Sequence, residues 1–237
     1  MITLQLVIVF GAAVLSYGSE CGGTTPPAEM DLSSINIPQS YRVSGVISDW
    51  VKKNAVAFDE FVNSDRISTL LSNQSGTSLQ WLTMKADKNV FLYNKTTGYC
   101  DKANSSCLES FPQLLRVSKN LSSVATLLEG LVDFSKTNRG FKRGHKIVAG
   151  VKGVHWVSCV KDTDGSDNLQ VEAVFTDENP PKPPSGFNNP LVLFLQVGVY
   201  GNFSGEMSEQ FSIPFIWWSK KNISISSYHI SMLCFHT

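Results

Sequence analysis

The chain has 237 residues, 42% of them hydrophobic and 17% charged. That is enough for one substantial domain and unlike a disordered or largely membrane-embedded protein. Twenty Lys and Arg balance twenty Asp and Glu, so the overall charge gives no pull towards nucleic acid or an anionic membrane.

Residues 2–15 are an apolar run followed by Ser16-Tyr17-Gly18-Ser19. A hydrophobic segment with small residues before a cut after Gly18 reads as a secretory signal peptide over residues 1–18. A membrane anchor would need about 20 apolar residues, and no later run reaches spanning length. The expectation is a secreted, extracellular chain with no transmembrane segment after signal removal. Residues 19–39 are rich in Gly, Thr and Pro and read as an extended lead-in.

Strand patterns begin at Tyr41. The segments 41–47, 55–62, 66–71, 79–84 and 90–93 are short, apolar at intervals and separated by Asn, Asp, Gly and Ser. That spacing predicts an antiparallel meander. The period then changes: Leu121, Val124, Ala125, Leu128, Leu131 and Val132 recur at three, four and seven, which places one apolar stripe on a helix. Gly130 weakens that helix, and Asn138-Arg139-Gly140 ends it. Such a stripe must lie on something, and the sheet is the available surface.

Strands resume at 146–150 and 153–161. In 169–175, Leu169, Val171, Ala173 and Phe175 face one side and Gln170 and Glu172 the other, the pattern of a half-buried strand. The Pro-rich stretch 179–190 reads as an exposed loop. Segment 191–200 is apolar on both faces, so it is covered twice or faces a cavity. Leu191, Leu193, Leu195 and Val197, together with Trp156 and the helix residue Leu128, are the expected lining of such a cavity between helix and sheet.

Export and oxidation go together. Sequons begin at Asn73, Asn94, Asn104, Asn120, Asn202 and Asn222, each a candidate glycan site. Of the five cysteines, Cys100 and Cys107 enclose a short polar turn, and a local disulfide between them is expected. The pairing of Cys21, Cys159 and Cys234 stays open.

Several pieces together resemble the LolA-like domain of secreted and membrane-anchored animal proteins, named after the bacterial carrier of lipoproteins. They are the Glu60–Ile67 stretch with its acidic and aromatic strand and Asn-Arg turn, Tyr93-Asn94 through Tyr99-Cys100, Gly153–Cys159, Val171–Asp177 and Pro190–Gly201. The resemblance spans residues 40–205. It implies an α+β fold, mostly antiparallel: an incomplete β-barrel, or half-barrel sheet, wrapped around one or more helices. It also implies an apolar cavity, which in the bacterial relatives takes acyl chains, and no catalytic residues. The pattern is lost after Gly205, with no closing strand recognisable in 211–218, so 206–237 reads as a divergent tail, and its last part, 219–237, is expected to pack poorly.

Chemical signatures are missing. There is no Gly-x-Ser-x-Gly elbow, no His-Glu-x-x-His, no phosphate-cradling loop and no metal-spaced Cys or His pair. His155 and Cys159 sit four apart on a strand, about 13 Å and too far for a nucleophile and its base. The expected function is therefore non-catalytic, without metal or cofactor: binding of a lipid, a lipidated molecule or another hydrophobic ligand. The alternatives are an adhesion or receptor ectodomain fragment that binds no small molecule, and, further off, a hydrolase with an unrecognised site.

Overall fold

The computed structural model describes residues 21, 29–30, 32, 35, 37–73, 78–86, 88–94, 97, 99–103, 107–161, 168–176, 190–201 and 207–219. Residues 1–18, read above as a signal peptide, most of residues 19–39, residues 220–237, and Asn104 and Asn202 lie outside them.

Among the described residues, one open antiparallel sheet of 11 strands packs against one α-helix. Six strands run down the chain as a meander: β1 (Tyr41–Asp49), β2 (Asn54–Val62), β3 (Arg66–Asn73), β4 (Ser78–Met84), β5 (Val90–Asn94) and β6 (Tyr99–Lys102). A 3-10 turn at Pro112–Arg116 and helix α1 (Val124–Thr137) follow. A second meander then holds β7 (Gly140–Val148), β8 (Val151–Lys161), β9 (Asn168–Thr176), β10 (Val192–Tyr200) and β11 (Met207–Ser219). The last strand pairs with the first, so β11 lies between β1 and β10 and joins the two meanders; β6 and β7 are left as edges. This open sheet around a helix is the half-barrel the sequence resemblance implies.

β11 lies where the sequence reading placed a divergent tail. A proline in a central strand argues against strand, and Pro214 sits in the middle of this one. Two features accommodate it. The register slips between Ser44 and Gly45 of β1, opposite this region. A methyl on Gly45 would also collide with the Pro214 carbonyl and the Phe58 ring. Phe211, Ile213, Phe215 and Trp218 are then all buried.

α1 starts three residues after Leu121 because Ser123 caps it. The Ser123 hydroxyl accepts from Thr126 N–H at 3.1 Å, and Thr126 Oγ1 accepts from Ser123 N–H at 3.0 Å. Gly130 costs helix propensity but allows close packing: a side chain there would meet Ser118, whose hydroxyl donates to the Thr126 carbonyl at 3.0 Å. The helix buries Val124, Ala125, Leu127, Leu128, Leu131 and Phe134.

Two further expectations change. Residues 149–150 are not strand: Ala149 and Gly150 both have positive φ, 49° and 79°, and form the two-residue turn between β7 and β8. The described part of the lead-in is also tied in, since Leu32 and Ile35 are core residues and Met30 N–H bonds to the Gly140 carbonyl at 2.9 Å.

The expected Cys100–Cys107 bridge does not form. Cys107 is a free, buried thiol below the start of α1, 3.8 Å from the Leu121 carbonyl. Cys100 is disulfide-bonded to a partner outside the described residues. Cys21 pairs with Cys159 across 138 residues, a pairing that spacing alone cannot reveal because it depends on where the lead-in meets β8. A loop that long is worth about 4–5 kcal/mol on the chain-entropy account. Non-reducing peptide mapping should therefore join the Cys21 and Cys159 peptides and leave Cys107 alkylated only after denaturation. Cys159→Ser should lower the melting temperature by about 10 °C or more. Rapid alkylation of Cys107 in the native protein would contradict this assignment.

Candidate functional site

The helix-facing side of the sheet is one continuous apolar core, running from Trp81 and Leu71 through Phe58, Val43 and Phe215 to Leu195, Val171 and Trp156. The acidic side chain of Glu60 interrupts it. The β1–β2–β3–β4 register sets Val43, Glu60, Thr69 and Trp81 side by side in one row across four strands.

Glu60 is fully buried, and its carboxylate is where α1 meets the sheet. Oε2 accepts from Val124 N–H and from the Thr69 hydroxyl, both at 2.7 Å; Oε1 accepts from Ala125 N–H at 2.7 Å. The first N–H groups of a helix have no partner within it and carry its positive end. Glu60 supplies both from another element, 64 and 65 residues away in sequence. Burial pushes its pKa up to about 7, even though the hydrogen bonds from Thr69, Val124 and Ala125 pull it down. Burial, and then the Glu60 charge, also raise the Tyr41 phenol and the Cys107 thiol.

Among the described residues, two polar atoms on this side are buried without a hydrogen-bond partner: Tyr41 Oη and Trp81 Nε1. Trp81 belongs to the Glu60 row, and Tyr41 lies two residues along β1 from Val43 of that row. An unpartnered buried donor costs about 1–3 kcal/mol, and a ligand oxygen would satisfy it.

Of the six side chains expected to line a cavity, five fall in this core: Leu128, Trp156, Leu191, Leu195 and Val197, each no more than 2% exposed. Leu193 does not. A register shift between Val192 and Phe194 places it with Val174 and Phe194 in a separate cluster. Periodicity could not anticipate that bulge.

The opposite side of β8–β10 holds a polar cluster that the sequence reading took for a solvated strand face. Glu172 is fully buried. Its Oε2 lies 3.0 Å from His155 Nε2 and 3.2 Å from Lys146 Nζ, and its Oε1 accepts from Gln170 Nε2 at 2.6 Å. Burial pushes its pKa up, but His155 and Lys146 outweigh that and hold it below the usual value. The only hint in the sequence was a His and a Glu facing one way on neighbouring strands. Among the described residues, no group of three His, Cys, Asp or Glu could hold a metal ion. Of the sequons described, Asn73 and Asn120 are exposed and Asn94 is half-buried.

A family model described as the nematode first LolA-like domain matches residues 32–219. The chain belongs to the LolA-like family. Solved structures similar to this LolA-like domain include the Mycobacterium tuberculosis lipoprotein LppX, 6% identical, covering 78% of this chain and 88% of that one at a TM-score of 0.41. MucB is 12% identical over 80% of this chain and 56% of that one, at 0.42. A domain assigned to outer-membrane lipoprotein sorting in Vibrio parahaemolyticus is 6% identical over 82% and 91%, at 0.35. Comparison with curated proteins gives no match.

The Glu60 contacts of the LolA-like domain can be tested by stability. Glu60→Ala strands three buried donors and should cost about 3–5 kcal/mol, while Glu60→Gln keeps one acceptor and should cost about 1–3. The folded pKa of about 7 lies above the ordinary 4.5, so folding takes up a proton. That contribution is complete below about pH 4.5 and is lost as pH rises through about 7. The wild type should lose on the order of 3 kcal/mol between about pH 5 and pH 8, and Glu60→Gln should show a flatter profile. Equal profiles in chemical denaturation would contradict the assignment.

Proposed function

We propose that this LolA-like domain is a secreted, non-catalytic carrier that holds an acyl chain or similar hydrophobic ligand between α1 and the sheet. The observation that carries the reading is the pair of unpartnered donors, Tyr41 Oη and Trp81 Nε1, buried in an otherwise apolar face. A ligand with a long apolar chain and an oxygen-bearing head fits both features. Size supports it: ten inter-strand spacings of about 4.8 Å make a face about 48 Å across before it curls, whereas a helix is about 10 Å wide. Each ligand methylene buried there would contribute about 0.8 kcal/mol, so no charged anchor is required. An oxidising, extracellular location is supported by the Cys21–Cys159 bridge and by exposed sequons at Asn73 and Asn120.

A second reading, a rigid extracellular scaffold with a dry core, is favoured by the tight burial of Leu128, Trp156 and Leu195. The two differ over Tyr41. Tyr41→Phe removes an unpartnered hydroxyl, so the ligand-free protein should be no less stable, by about 0–1 kcal/mol in its favour. In the carrier, the same change should weaken binding of a fluorescent fatty acid by about fivefold, the loss of one hydrogen bond. Native mass spectrometry of protein from secreting cells should show a lipid adduct that extraction removes. Absence of any adduct, together with no fatty-acid binding at micromolar concentration, would leave the scaffold reading in its place.

A further inference from the structure

The β7–β8 hairpin departs from the charge balance of the chain. From Arg139 to Lys161 there are six Lys and Arg and no Asp or Glu. The hairpin lies at an edge of the sheet, and its register puts Lys142, His145, Ile147 and Lys152 on one face, all exposed. Ile147 and Lys152 are direct cross-strand partners. The tight Ala149–Gly150 turn ends the hairpin in an apolar tip, with Ile147 72% and Val151 37% exposed.

Basic side chains on an edge strand have an ordinary use: they discourage pairing with another chain. Arg143 in mid-strand answers to that, as does the bulge between Lys142 and Gly144. The tip does not. An isoleucine nearly three-quarters exposed beside a valine, next to a lysine, is a poor guard against association. It is the composition of a segment that rests at a lipid surface, with apolar groups at the acyl boundary and lysines at the phosphates. Lys146 is already engaged by Glu172, and Arg139 lies 3.7 Å from Glu29. Lys142 and Lys152 are the exposed cations of this face.

We propose that the β7–β8 hairpin docks the domain onto an anionic lipid bilayer. Ile147 and Val151 enter the headgroup boundary, and Lys142 and Lys152 meet the lipid phosphates. The apolar tip favours a bilayer over a soluble polyanion, which would reward the lysines alone. Docking does not depend on the acyl-carrier reading, because a bilayer surface can be met whether or not the core holds a lipid.

The test is co-sedimentation of the full chain with vesicles of phosphatidylcholine, with and without about 30% phosphatidylserine, at about 0.1 M salt. Binding to the anionic vesicles should be about tenfold stronger and should fall in high salt. Ile147→Asp and the double variant Lys142→Glu/Lys152→Glu should each reduce it about tenfold. Their positions are exposed, so melting temperatures should match the wild type and exclude unfolding as the cause. Equal binding to both vesicle types, an unaltered Ile147→Asp variant, or capture on heparin without vesicle binding would each overturn the proposal.

Discussion

The contact between Glu60 and the first turn of α1 is the constraint on which much of the arrangement depends. A single helix on a wide sheet could slide or rotate on apolar contacts alone, since hydrophobic burial has no direction. Hydrogen bonds do have direction. Three donors from two elements converge on one carboxylate within 2.7 Å, and that fixes the helix start above the row of Val43, Thr69 and Trp81. The Ser123–Thr126 box closes the same end from within the helix. The site is expensive to bury and strongly satisfied, a combination that yields one specific register. It also places the two unpartnered donors of the core on the half of the sheet formed by the first meander, near the helix start.

The second constraint is the seam between β1 and β11. Each meander alone is a set of local hairpins, but the sheet is complete only when its last strand finds its first. Such a pairing must close a loop of most of the domain before any hydrogen bond repays it, which makes it the slow and non-local part of folding. The Cys21–Cys159 bridge works in the same direction by tying the lead-in to β8, beside the edge where Met30 and Glu29 contact β7.

What was legible in the sequence follows from these two facts. The local hairpins β1–β5 and β8–β10 were read within one to three residues, because their alternation and turns are properties of neighbouring residues. The stripe Val124–Leu131 was read for the same reason. β6 was missed because four residues at an edge carry no period, and β11 because Pro214 and the slip at Gly45 make sense only together. The Glu60 residue was visible as part of the family resemblance, but its role was not, since its partners on the helix lie more than 60 residues downstream. Gln170 and Glu172 looked like a solvated face; Glu172 is buried because His155 and Lys146, from two other strands, meet its carboxylate, and Gln170 donates to that same carboxylate. Leu193 fell out of the expected lining through a one-residue bulge. The misses at β11, Glu60 and Glu172 are contacts between segments distant in sequence, whereas the successes are patterns within one segment.

The functional account rests on the same geometry. A helix pinned at its first turn, with Leu131 and Phe134 buried further along it, is suited to covering an apolar interior. The central claim is that Glu60 does the pinning. Amide hydrogen exchange at Val124 and Ala125 tests it most directly. In the wild type both amides should exchange only through global opening, at rates like those of β9 and β10. In Glu60→Ala they should exchange faster relative to those strands by about a hundredfold, the release of nearly 3 kcal/mol of local protection. Unchanged protection of the two amides in that variant would contradict the account.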